Sequence, residues 1–297
     1  MTLRAVLQAL ASLALAAAAC AAPLPEGESR ATALVGGMPI AVAYYKPPGY
    51  AGGPLLVSLH GLGRNVDGYL AATRPLADRH GLLVAVPLFD RERFPPWRYQ
   101  SLGVSRAART ASGDVPTEPR AQWTTELIAE LAEQVRAAEG RPLDLWLIGH
   151  SAGGQAAGRY AALAPDTARR IVVANPSSWL MPTREARYPY GFGGLPPALS
   201  DDDALRRYLA QPLTILAGTA DVLTRDLDQS PPAMLQGGTR LERARRAYRA
   251  GAELAQRNGW PFNWRLVEIP GAAHSVAQMY ASGETFAALS RDPLTTR

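Results

Sequence analysis

The chain has 297 residues, of which 47% are hydrophobic and 19% charged, so it carries enough apolar material for a sizeable core and is not a disordered chain. Its net charge is +5, and Lys46 is the sole lysine among 31 basic residues, which makes the positive balance almost wholly arginine. The arginines are scattered rather than grouped with stacking aromatics, which argues against nucleic acid as a partner.

The N-terminus reads as an export signal. Arg4 supplies the charge, residues 6–19 the apolar stretch and Ala19-Cys20-Ala21 the small-residue cleavage site. The apolar run is short for a membrane span. Cys20 is the only cysteine, and Ala-Ala-Ala-Cys loosely resembles a bacterial lipoprotein box, so a lipid anchor at Cys20 stands beside cleavage after Ala21. Either way no internal disulfide can form, and stability must come from the core. The expected layout is a signal at 1–21, a linker at 22–30 and one domain over 31–297, periplasmic or secreted.

Taken in order, residues 32–35 and 40–45 predict a hairpin about Gly36-Gly37. Residues 55–59 form an apolar strand ending in His60-Gly61-Leu62-Gly63. A helix over 69–80 stops at Gly81, and a strand covers 82–86. Residues 89–117 have no period. Thr117 with Pro119 opens an amphipathic helix to Ala138, its apolar stripe being Trp123, Leu127, Leu131 and Val135. A strand at 145–148 runs into Gly149-His150-Ser151-Ala152-Gly153, and a helix follows over 155–163. Further strands are expected at 170–174, 213–217 and 264–269. Ser200 caps a helix to 210, a long helix runs over 239–258, and the last covers 276–289. This alternation predicts an α/β fold, a mostly parallel central sheet with antiparallel N-terminal strands and helices on both faces.

The Gly-x-Ser-x-Gly run between strand and helix is the context of a nucleophile elbow, against the alternative of an ordinary tight turn. In an open parallel sheet ligands bind beyond the carboxyl ends of the strands. The His60 turn, Ser151, Asp221 and His274 all directly follow predicted strands, so they share one rim. A serine needs a base. His60 suits loop support, His80 falls on the opposite rim and His150 should point away from the serine, which leaves His274. Asp221 is the expected acid, with Asp226, Asp228 and Asp90 as fallbacks. An oxyanion needs two donors, placed at the N–H of Ala152 and of Leu62. The aromatics Trp97, Tyr99 and Trp179 either line an acyl groove or pack as loop cores. Arg240, Arg243 and Arg246 read as a solvated helix face. Neither metal-ligand spacing nor a phosphate cradle occurs, so no metal and no cofactor is expected.

Leu55-Leu56-Val57-Ser58-Leu59-His60-Gly61, Gly149-His150-Ser151-Ala152-Gly153-Gly154, Thr219-Ala220-Asp221 and Gly271-Ala272-Ala273-His274 together resemble an α/β-hydrolase, over about residues 34–289. Ser-Ala-Gly-Gly after an export signal is similar to the polyhydroxybutyrate-depolymerase and feruloyl/acetylxylan-esterase branch, whose members often carry disulfides that this chain cannot form. The resemblance implies a cofactor-free Ser-His-Asp mechanism on a small or polymeric ester. A serine peptidase of the same fold, or a silent hydrolase-like binding lipoprotein, are the rivals.

Overall fold

The structure is a computed structural model that describes residues 22–106 and 113–290. The expected export signal, with Cys20, lies outside the described residues. Eight strands form one sheet: β1 (Gly27–Val35), β2 (Met38–Lys46), β3 (Leu55–Leu59), β4 (Leu83–Pro87), β5 (Leu145–His150), β6 (Arg170–Ala174), β7 (Leu213–Gly218) and β8 (Arg265–Ile269). Their spatial order is β1-β2-β4-β3-β5-β6-β7-β8. β1 with β2 and β2 with β4 are antiparallel, and every other pair is parallel.

The sheet is what apolar runs in a βα alternation should build. β3, β4, β6 and β7 are buried at every residue, as strands covered on both faces must be. Successive side chains point to opposite faces, so Leu55, Val57 and Leu59 join one core while Leu56 joins the other. The first core is closed by α2 (Thr124–Glu139), α3 (Ala152–Leu163), α4 (Asp202–Leu209) and α5 (Arg240–Asn258). The second is closed by α1 (Val66–His80), α6 (Val276–Tyr280) and α7 (Gly283–Ser290). β1 and β2 are joined through Gly36 and Gly37, both at positive φ (55° and 71°), as a two-residue hairpin turn requires.

Four local expectations change. β1 starts at Gly27, so residues 27–30, expected as linker, are strand; they pair with β2 along the full hairpin register. α2 starts at Thr124 rather than near 117, because residues 120–122 form a 3-10 turn and the Trp123 indole N–H donates to the Glu118 carbonyl at 2.9 Å. The cap of α4 is Asp201, not Ser200: its Oδ1 accepts from the Ala204 N–H at 2.8 Å. The last helix is broken, since the Ser282 hydroxyl accepts from the Thr285 N–H at 3.1 Å and starts a second one.

Candidate active site

The carboxyl ends of β3, β5, β7 and β8 bring the predicted residues to one rim. Ser151 follows β5 at φ 59° and ψ −118°, a left-handed conformation that a β-carbon opposes. The flanking glycines let it exist. A Cβ on Gly149 would overlap the Gly153 carbonyl, and one on Gly153 would overlap the Leu59 carbonyl at the end of β3. The elbow helix α3 therefore approaches the sheet as closely as bare backbone allows. Its first residue is Ala152, where no intrahelical acceptor exists for the N–H.

Ser151, His274 and Asp221 meet in one hydrogen-bonded chain. His274 Nε2 lies 3.0 Å from Ser151 Oγ, and His274 Nδ1 lies 2.6 Å from Asp221 Oδ2. The carboxylate accepts, so Nδ1 carries a proton and Nε2 is free to accept from the serine hydroxyl. Asp221 is 1% exposed and His274 is 27% exposed at the side chain, which leaves the imidazole open to a substrate and the acid sealed beneath it. The fallback acids lie elsewhere. Asp228 accepts from the Tyr190 hydroxyl at 2.9 Å, Asp90 pairs with Arg93 at 2.7 Å, and Asp226 lies 3.8 Å from Arg225.

The turn after β3 packs against the serine. A Cβ on Gly61 would lie 3.7 Å from the Ser151 Cβ. The turn is closed by the Arg64 N–H donating to the Gly61 carbonyl at 3.1 Å, and Leu62 sits half-exposed at its tip. His60 holds the turn in place from inside. Its Nε2 accepts from the Phe89 N–H at 3.1 Å, so Nδ1 carries the hydrogen and donates to the Gly61 carbonyl at 3.1 Å. Burial, with help from the Arg64 charge, pushes its pKa down to about 4, and it stays neutral as that pattern demands. His150 packs on the His274 ring, centroids 4.6 Å apart, and its Nδ1 lies 3.1 Å from the Tyr69 hydroxyl. Burial, then the charges of His274 and Arg240, lowers its pKa well below the ordinary value. His80 lies at the end of α1, beside Phe286 rather than the site.

Two of the three expected substrate aromatics are structural. Tyr99 is fully buried; its hydroxyl donates to the His60 carbonyl at 2.6 Å and its ring packs on His60 and Phe89. Trp179 is 2% exposed, with its backbone N–H donating to Gln236 Oε1 at 2.8 Å. The reason is a buried polar network that draws both loops onto α3. Gln155, one turn past Ser151, accepts from Gln100 Nε2 at 2.6 Å and donates to the Ser178 hydroxyl at 2.6 Å. Arg159 donates to the carbonyls of Gln100 and Pro189. Trp97 is half-buried beneath the Arg106 guanidinium. A cleft of about 650 Å³ does open on this rim, between residues 181–190 and 230–236, edged by Tyr188, Tyr190, Pro231 and Leu235; none of Ser151, Asp221 and His274 lines it.

Of the three arginines expected on a solvated helix face, Arg246 is exposed, whereas Arg240 and Arg243 are not. Arg240 and Arg243 are 1% and 0% exposed. Arg243 donates to the Gly237 carbonyl at 2.9 Å and to the Ser177 carbonyl. Arg240 reaches the site itself, with Nη1 3.3 Å from Asp221 Oδ1. Its signal was present in the sequence. Residues 240, 244, 247, 251 and 255 recur at helical spacing and are all buried, so both arginines ride on the inward stripe.

No protein-family model matches the chain, and no curated protein matches it. Solved structures do. A poly(3-hydroxybutyrate) depolymerase, LpqC, from Bordetella parapertussis is 34% identical over 91% of this chain and 92% of its own, with a TM-score of 0.80. Poly(aspartic acid) hydrolase-1 from Sphingomonas sp. KT-1 is 33% identical over 90% and 99%, also at 0.80. An esterase from Pyrobaculum calidifontis, 17% identical over 98% and 93% with a TM-score of 0.51, shares the fold. Identity of this level across nearly the whole length, on the sheet and elbow described above, makes this chain a member of the α/β-hydrolase superfamily and a hydrolase.

Proposed function

We propose that the chain is an exported serine hydrolase that cleaves carboxylic esters through an acyl-enzyme. The observation that carries this reading is the continuous chain from Ser151 Oγ through His274 to the sealed Asp221, at 3.0 and 2.6 Å. Ser151 Oγ bonds to the ester carbonyl carbon as its proton passes to His274 Nε2. The oxyanion is held by the N–H groups of Ala152 and Leu62, each such donor being worth roughly 3 kcal/mol. The carbon–oxygen bond to the alcohol breaks, and His274 returns the proton to the leaving oxygen. Water then attacks the acyl-enzyme, giving its proton to His274, and the acid departs as Ser151 regains a hydrogen. Asp221 keeps the imidazole in the required tautomer and balances its charge.

An apolar acyl or polyester substrate suits the rim. Of the six exposed large hydrophobic side chains among the described residues, Leu62, Val222, Leu223, Met234 and Leu235 lie on segments that follow β3 and β7. The likeness to the depolymerase LpqC supports a polymeric ester; the likeness to a poly(aspartic acid) hydrolase supports an amide as the second reading. Export, with cleavage near residue 21 or lipid attachment at Cys20, rests on the N-terminal sequence, and the mass of the mature protein decides it.

A fluorophosphonate probe should label wild type at Ser151 and leave Ser151→Ala unlabelled. Acyl esters of graded length, an aliphatic polyester film, polyaspartate and peptide amides should then separate the readings. Turnover of esters lost in Ser151→Ala supports the proposal. Ester turnover that persists in Ser151→Ala removes it, and turnover of amides alone replaces it with the second reading.

A further inference from the structure

We infer that Arg240 is a positioning residue of this site, holding Asp221 and its loop in place while its fixed charge sets the lower pH limit of Ser151 reactivity. The inference rests on the Ser151–His274–Asp221 reading above and adds a fourth member to it.

Asp221 divides its two oxygens. Oδ2 takes His274 at 2.6 Å, and Oδ1 lies 3.3 Å from Arg240 Nη1. Both side chains of the ion pair are 1% exposed. The same guanidinium donates to the Leu223 carbonyl at 3.2 Å and, through Nη2, to the Arg225 carbonyl at 2.7 Å. Arg240 is the first residue of α5, whose Thr239 cap accepts from the Glu242 N–H at 3.1 Å. One rigid fork on a capped helix thus fastens the acid and the loop after it. A lysine is a point charge and cannot reproduce the fork.

The charge has a separate effect. A buried carboxylate favours the imidazolium of its partner; a permanent guanidinium on its other oxygen offsets part of that attraction. The neighbouring groups do not cancel this. His150, its ring centroid 4.6 Å from that of His274, is neutral, and Tyr69 is un-ionised with its pKa raised by burial. Arg243 stands one turn along α5 and is balanced by Asp228, while Asp226 contributes to Arg240 from the exposed end of the loop.

The test measures the rate of fluorophosphonate labelling of full-length protein against pH, so it does not depend on knowing the substrate. Arg240→Gln should label at least about tenfold more slowly at its plateau, and the pH at which labelling falls by half on the acid side should rise by about one unit. Arg240→Lys should also slow labelling while keeping the wild-type midpoint, because it retains the charge and loses the fork. Far-ultraviolet circular dichroism confirms folding, and Arg240→Lys carries the test if Arg240→Gln does not fold. A wild-type rate and midpoint in Arg240→Gln, or a wild-type rate in Arg240→Lys, overturns the inference. Labelling that is equal in wild type and Ser151→Ala overturns the hydrolase reading instead.

Discussion

Two glycines five residues apart on α3 should respond oppositely to alanine. At Gly153 a Cβ would overlap the Leu59 carbonyl oxygen and sit 2.5 Å from its carbon and 2.8 Å from the His60 carbonyl oxygen. All three are backbone atoms of the strand end and turn that face Ser151. Ordinary contact needs roughly 3.4 Å or more, so α3 and β3 must separate by roughly 1.4 Å. Overpacking of this kind costs about 1–3 kcal/mol, which in a chain of this size lowers Tm by roughly 3–10 °C. The functional cost should be larger. Separation moves Ser151 from the Gly61-Leu62 turn, and a misplacement of about 1 Å can cost roughly 100-fold in rate. Gly158 is the control. Its Cβ would meet Trp179 and Val173 at 3.8 Å, an ordinary contact. Gly158→Ala should therefore gain about 0.5–1 kcal/mol from the lost backbone freedom of glycine in a helix and keep full activity. The assay is a thermal melt beside the fluorophosphonate labelling rate for each variant. If Gly153→Ala melts and labels like wild type, the close approach of α3 to β3 is not what permits the elbow.

Other outcomes follow from the same contacts. Lys46 Nζ pairs with Glu139 at 2.8 Å with both side chains largely buried, so Lys46→Met should leave an uncompensated carboxylate and cost about 3 kcal/mol, read as a lowered denaturant midpoint. His60 binds its proton at about pH 4 when folded and near its ordinary value when unfolded. The unfolded state thus takes up more protons as pH falls from about 6.5 towards 4, and stability is lost over that window by up to roughly 3 kcal/mol, with His150 acting in the same direction. Denaturant midpoints measured from pH 7 to 4.5 check the slope; a flat profile refutes it. Tyr99→Phe removes the hydrogen bond to the His60 carbonyl, so it should cost about 1 kcal/mol in stability and leave KM unchanged. A raised KM there would restore Tyr99 as a substrate contact.

The sequence alone determined a mostly parallel sheet with antiparallel N-terminal strands, the strand-turn-helix around Ser151, and the position of Asp221 and His274 after later strands, but not the spatial order of the strands. Those features rest on local rules: apolar runs that must be buried on both faces, glycines where a Cβ has no room, and catalytic loops at the carboxyl ends of parallel strands. Elimination among four histidines left His274, whose Nε2 lies 3.0 Å from Ser151 Oγ, because His60, His80 and His150 sit at positions whose geometry is set by neighbours in the chain. What only the tertiary structure decided concerns long side chains and long loops. Tyr99 and Trp179 looked like groove aromatics because their loops overhang the rim, yet Gln100, Gln155, Arg159 and Ser178, drawn from segments far apart, pull those loops inward. Arg240 and Arg243 looked solvated because arginine usually is, although their phase with Ala244, Ala247 and Ala255 said otherwise. A buried guanidinium is tolerated only where carbonyls and a carboxylate converge on it, and that convergence exists only after β6, β7 and α5 have packed.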